Sequence, residues 1–507
     1  MPFTFSPAVE QWGLQEIVCP GRSQGNPFTD YDLCAEFTSA GECVQVHGFY
    51  DGEGRWIVRF MPSHQGRYTF RISGSFSDEV FSGEFDALPP SPGNHGPVRV
   101  AQQYHFAYAD GTRYIPVGTT CYVWQLQSPE MFEQTLRTLE ASPFNKIRFC
   151  VFPKHYDYNF NEPFTYPYEG TPCDSSWLTK DNFWQANAHT PGNSWDFTRF
   201  NPAHFRHLEK AVQRLQDIGI EADIIILHPY DRWGFSAMSK EEDQLYFRYL
   251  TCRLAAYRNV WWSLANEYDI LKEKTTQDWE DMAATIQAHD PWHHLMSIHN
   301  CFGFYDQTRP WITHCCLQRQ DIYRTTEYVD QWREQYGKPV IVDEMGYEGN
   351  IQHGWGNLSG EEITRRFWEA SIRGGYGGHG ETFLHERGIL WWSHGSELHG
   401  QSPARLQFLK DFLAELPALR RVNGRFDEVV AIPEGEDAEN PSLRVYYHSF
   451  MQPSFREYSL PEGVKWQVEV IDTWNMTRED MGVQEGRFTI PLPGRSFMAI
   501  FMRRVDE

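Results

Sequence analysis

The sequence predicts an α/β chain: a (β/α)8 TIM barrel with an immunoglobulin-like β-sandwich before it and a small β-sandwich after it. Three observations predict this. From about residue 98 to 418, apolar strand-like runs alternate with amphipathic helical stretches. On either side, short strands follow one another with turns between them and no helical periodicity. A stiff stretch at 88–97, Leu-Pro-Pro-Ser-Pro-Gly-Asn-His-Gly-Pro, sets the first segment apart from the second. The expected domains are 1–88, a linker at 89–97, the barrel at 98–418 and the last β-domain at 419–507.

In the first domain, strands are expected at Asp32–Phe37, Val44–Tyr50, Arg55–Met61, Gly66–Ser73 and Glu79–Phe85, a spacing that suits an antiparallel sandwich. The barrel strands are expected at Tyr114–Gly118, Lys146–Val151, Ala222–Leu227, Val260–Ala265, His294–Ile298, Ile312–Leu317, Val340–Asp343 and Tyr376–Gly380. Helices are expected at Pro129–Leu139, Pro202–Leu215, Lys240–Tyr257, Thr276–Ala288, Tyr323–Tyr336 and Gly360–Ile372, with starts marked by Asn201-Pro202 and Ser239. Between Asn300 and Trp311 only a turn or a short helix fits. Residues 152–200 form a long aromatic insertion on the catalytic rim, most of its rings packing together and a few free to stack on a ligand. After a helix at Ser402–Leu416, strands return at Ser442–His448, Trp466–Asp472, Arg487–Ile490 and Phe497–Met502.

Bulk properties narrow the function. A chain of 507 residues exceeds one hydrophobic core. Its formal charge of −23 argues against a nucleic-acid partner or an anionic membrane surface. An aromatic share of 16%, with nineteen tryptophans, suits stacking on sugar rings as well as core packing. The ten cysteines show no CxxC pair or zinc spacing, and Cys121, Cys150 and Cys315 lie in apolar strands like reduced thiols. The first residues do not read as a signal peptide and no apolar run reaches membrane-spanning length, so a cytoplasmic protein is expected. A homo-oligomer is compatible with this reading.

The chemistry concentrates at two strand ends. Val-Trp-Trp-Ser-Leu-Ala-Asn-Glu drives an apolar strand into Asn266 and Glu267, and Lys-Pro-Val-Ile-Val-Asp-Glu drives another into Glu344. Glycosidic bonds are cleaved by two carboxyl groups with divided labour, one protonated and one ionised. At the C-terminal mouth of a barrel, such glutamates face each other. Asp343 stands beside Glu344, and because side chains alternate along a strand only one of the two can face the axis.

Asn266-Glu267 on the fourth strand with Glu344 on the seventh resembles glycoside hydrolase clan A, the retaining barrel enzymes. The flanking β-domains, with Gly-Gly-His-Gly-Glu-Thr-Phe (377–383) and Ile-Leu-Trp-Trp-Ser (389–393), look like the multidomain bacterial members. The resemblance implies that Glu267 is the acid/base, Glu344 the nucleophile, and Asn266 the donor to the sugar 2-hydroxyl. It selects Glu344 over its neighbour and leaves Asp343 a structural part. It implies that Arg148 keeps the nucleophile ionised and that His228 lines the sugar site. The clan's frequent strand-six tyrosine is missing, so Gln318 or Tyr347 would substitute. His299, His379, Glu381, Trp391 and Trp392 are further candidates for the substrate site. No cofactor is expected. A metal-dependent barrel hydrolase would need His-x-His at the end of the first strand, where Gly-Thr-Thr-Cys-Tyr stands instead. A carbohydrate-binding protein on a dead barrel would have no need of both glutamates.

Overall fold

The computed structural model describes residues 2–319, 321–386, 388–424 and 428–505. Its centre is a sheet of eight parallel strands, which we label β1 (Gly118–Thr120), β2 (Lys146–Cys150), β3 (Glu221–Leu227), β4 (Val260–Ala265), β5 (Met296–Ser297), β6 (Cys315–Gln318), β7 (Val340–Glu344) and β8 (Tyr376–His379). Their order is β5-β4-β3-β2-β1-β8-β7-β6, the sequential winding of a TIM barrel. The seam between β5 and β6 is closed by Thr313, whose N–H donates to the Met296 carbonyl at 2.9 Å.

Local chemistry explains the elements. β4 is buried at all six positions, which is why it reads as an unbroken apolar run. Helices α1 (Pro129–Glu140), α2 (Pro202–Asp217), α3 (Lys240–Leu254) and α4 (Thr276–His289) begin after Ser128, Asn201, Ser239 and Thr275, whose side chains each accept a first-turn N–H. Ser239 with Glu242 and Thr275 with Asp278 complete capping boxes. Helices α5 (Val329–Tyr336), α6 (Gly360–Ile372) and α7 (Ser402–Ala414) finish the outer layer. Only turns join β5 to β6, as the short spacing between Asn300 and Trp311 predicts.

The first barrel strand begins later than expected. Pro116 has no N–H to give a ladder, so the chain breaks there. Tyr114 pairs instead with Phe106 in a small sheet of Val98–Ala101, His105–Tyr108 and Arg113–Tyr114. Phe106 packs on Trp261 at 5.4 Å and Tyr376 at 5.6 Å, at the strand starts, and so plugs the bottom of the barrel. Inside, Lys146 bridges Asp223 at 2.6 Å and Asp343 at 2.7 Å, which accounts for the Asp343 carboxylate.

The residue 152–200 insertion is stiffened by an antiparallel hairpin of Tyr168–Thr171 and Ser194–Phe200. N-terminal to the barrel, a five-stranded and a four-stranded sheet share one core, with Phe37 stacked on Phe60 at 4.1 Å. C-terminal to it lies a six-stranded sheet with a two-stranded companion. The strands between residues 4 and 20, too short and broken to show a period, went unread in the sequence. Buried polar contacts tie these regions to the barrel. Arg253 on α3 bonds Asp51 at 2.8 Å, Arg59 donates to the Arg253 carbonyl at 2.7 Å and to Glu209 at 3.0 Å, and Trp292 donates to the Met61 carbonyl at 2.8 Å. On the other side Arg333 meets Glu434 at 2.6 Å. Among the described residues, no helix is long and apolar enough to cross a membrane.

Candidate active site

The C-terminal ends of the barrel strands open into a cavity of about 870 Å³, its open mouth included. Glu267 and Glu344 both line it, and so do Gln318, Tyr347 and Trp392. Glu344 ends β7, and three groups converge on its carboxylate. The Tyr122 hydroxyl donates to it, the Arg148 guanidinium lies 3.6 Å away and His299 Nε2 lies 3.7 Å away. Burial alone would raise this carboxyl, but His299, Arg148 and Tyr122 together hold it well below the usual carboxylate range.

Glu267 stands in the opposite state. It follows β4 in the left-handed region, φ 52° and ψ 53°, a conformation costing a non-glycine residue about 1–3 kcal/mol. The turn is secured by the Asn266 N–H on the Leu227 carbonyl and the Tyr268 N–H on the His299 carbonyl, each at 2.9 Å. The Tyr230 hydroxyl and Gln318 Nε2, at 3.2 Å, donate to the carboxyl group. Burial and the neighbouring Glu344 charge nevertheless push its pKa up. His299 Nε2 lies 3.0 Å from Gln318 Oε1, so Gln318 and His299 link the two carboxyl groups side by side. The surroundings thus bias the two carboxyl groups in opposite directions, Glu267 upward and Glu344 downward.

A family profile described as the apiosidase-like catalytic domain matches residues 101–419. The chain belongs to the apiosidase-like family. It is a glycoside hydrolase, and its barrel is of the clan A type. The flanking regions match two domains of unknown function, DUF5060 at 8–75 and DUF5605 at 432–503. Among solved structures, a provisionally assigned glycoside hydrolase from Bacteroides vulgatus ATCC 8482 shares 34% identity, with a TM-score of 0.90 over 99% of this chain and 100% of that one. A glycoside hydrolase family 5 protein from the same organism shares the fold, with 15% identity and a TM-score of 0.59 over 82% of this chain and 95% of that one. No curated protein sequence matches.

Within the apiosidase-like domain, the expected site residues separate into groups. Arg148, His299 and Asn266 stand behind the carboxylates. Asn266 Oδ1 lies 3.5 Å from both Arg148 and Tyr122, and its Nδ2 is buried without a partner among the described residues. His228 is buried beneath Tyr230, its Nε2 3.4 Å from the Phe152 carbonyl, and desolvation drives its pKa down to about 3. Three others face away from the cavity, a correction to the sequence reading. His379 stacks on Phe144 at 4.5 Å and meets Thr119 Oγ1 at 2.9 Å, and Trp391 Nε1 donates to the same hydroxyl at 2.9 Å. Strand alternation turns His379 and Thr119 away from the barrel axis, and Trp391 reaches them from a helical turn at Trp391–His394. Glu381 accepts the His399 N–H and secures a loop, its pKa pushed up to about 7 by burial.

The sequence reading missed Tyr122, Lys154, Tyr230 and Trp355, which line the cavity, and it placed Tyr156 only among the insertion's aromatics. Their signal was position alone, since Tyr122 and Tyr230 follow barrel strands directly. Tyr122→Phe removes a hydrogen bond to an ionised group, worth about 1.5–3 kcal/mol. It should raise the Glu344 pKa and move the acidic limb of the kcat/KM profile to higher pH, the direction expected of a carboxylate that acts in its ionised form. Rates across pH 3–9 check this, and an unmoved limb would mean that Tyr122 only fills space.

Proposed function

We propose that the protein is a retaining glycoside hydrolase acting by double displacement on a small glycoside or oligosaccharide. Glu267 protonates the leaving oxygen while Glu344 attacks the anomeric carbon. In the second half, Glu267, now ionised, takes a proton from the water that releases the sugar from Glu344. The single observation carrying this reading is the pair of carboxyl groups in one cavity, joined through Gln318 and His299 and biased to opposite protonation states.

The buried, unpartnered Asn266 Nδ2 supports its assignment to the sugar 2-hydroxyl. The walls raised by Trp355 and Trp392 suit a pocket for a chain end, hence exo-action. The flanking β-domains then act as rigid supports of sandwich type, the first immunoglobulin-like, and buried thiols such as Cys121 and Cys150 suit a cytoplasmic setting.

The test is the anomeric configuration of the first-formed product, followed by proton NMR after a screen of aryl hexosides, pentosides (an apioside included, given the family's name) and uronides. Retention is expected. An inverted product would overturn the double-displacement reading.

A further inference from the structure

Lys154 is absorbed by none of this chemistry. It follows β2 by a few residues, is 2% exposed and lines the catalytic cavity. Its ammonium nitrogen lies 3.5 Å from the ring centroid of Tyr122, 4.3 Å from Tyr230, 4.5 Å from Trp392 and 5.5 Å from Tyr156. Among the described residues it has no ion pair and no hydrogen-bond acceptor. Two of the cage tyrosines already give their hydroxyl hydrogens to Glu344 and Glu267.

An ammonium group has three donors to satisfy. Ring faces stabilise a cation by about 0.5–2 kcal/mol, whereas a desolvated and unpaired charge costs several. The cage therefore holds the charge in position without neutralising it, and the open side of the ammonium is the cavity. A neutral hydroxyl entering there would supply an acceptor only. A carboxylate would supply acceptors and a directly bonded counter-charge together. Burial already favours loss of the Lys154 proton, drawing its pKa down to about 8, and an anion beside it would reverse that tendency. Glu344 and Glu267 favour the charged form of Lys154 from a distance, but neither bonds it, and Glu344 is engaged by Arg148 and His299.

We propose that Lys154 in its cage of Tyr122, Tyr156, Tyr230 and Trp392 binds a carboxylate carried by the sugar itself, so that the glycoside accepted by this cavity is a uronide. The proposal rests on the hydrolase reading above and names its substrate class. The depth of Lys154, between the tyrosines that hold the two glutamates, puts the acidic group on the sugar whose bond is cleaved.

The experiment has two arms on the full chain. In the first, 4-nitrophenyl glucuronide and galacturonide are compared with the matching glucoside and galactoside. A kcat/KM preference for a uronide of about 10²-fold or more is expected, because a site built for a polar group rejects the analogue lacking it. Lys154→Met should collapse that ratio, whereas a lysine that only tunes the glutamates would lower both rates and leave the ratio standing. In the second arm, calorimetry measures free glucuronate and galacturonate against glucose and galactose, with circular dichroism confirming that the variant folds. Uronates should bind at least about tenfold tighter, and the margin should vanish in Lys154→Met. Equal binding of acid and neutral sugar by the wild type overturns the uronide assignment, whether or not any aryl glycoside is turned over. Loss of the hydrolase reading would appear differently, as binding of uronates with no cleavage of any glycoside in the screen.

Discussion

Glu344→Gln is expected to lower kcat by about 10⁴–10⁶-fold, the order lost when one member of a catalytic unit is removed. The amide keeps the shape of the side chain and can still accept from Tyr122, so the fold and sugar binding should persist. What disappears is the negative charge that Arg148 and His299 are arranged around and the lone pair that attacks the anomeric carbon. Steady-state kinetics with the best aryl glycoside from the screen, together with calorimetric sugar binding, measure both halves of the expectation. Activity within tenfold of wild type would remove Glu344 from the nucleophile's role.

The second large effect belongs to Glu267→Ala. Losing a positioned acid costs about 10²–10⁴-fold, and most for poor leaving groups that need protonation. A 2,4-dinitrophenyl glycoside needs little help to depart, so its first step should survive while release of the sugar slows. Added azide should then restore turnover by attacking the glycosyl–enzyme bond, giving a product with the configuration of the substrate. Alanine carries the same Cβ as glutamate, so the left-handed backbone at this position gains no new strain. Chromatography and NMR of the azide product provide the check. No rescue, with equal losses for good and poor leaving groups, would point away from Glu267 as the acid/base.

Legibility in the sequence followed burial. β4 and α6 stand at the limits that the sequence pattern predicts, because one is buried throughout and the other is firmly started by the cap at Ser359. Strand starts were harder wherever a local group competes with the ladder. Pro116 delays β1, and β5 is held to two residues because Asp290 takes the His294 N–H at 2.9 Å. In the site, the glutamates were visible because a carboxylate ending an apolar strand is unusual. Tyr122 and Tyr230 were not, since a tyrosine beside an apolar run reads as core. Lys154 could not be seen either. Its meaning depends on four rings contributed by residues 122, 156, 230 and 392, and proximity across that span is a property of the closed barrel.

The clamp formed by Asp51, Arg59, Glu209 and Arg253 bears on how such a chain can change over generations. Two guanidinium groups and their carboxylates are sealed between the first sheets and the barrel helices. Cutting or shuffling the gene at the Pro/Gly stretch would part Arg253 and Glu209 from Asp51 and Arg59 and open the buried face around them to water. The N-terminal region is thus expected to be inherited with the barrel as a single unit, and the base of the 152–200 insertion with them, because Phe200 stacks on Tyr249, whose hydroxyl accepts from Arg253.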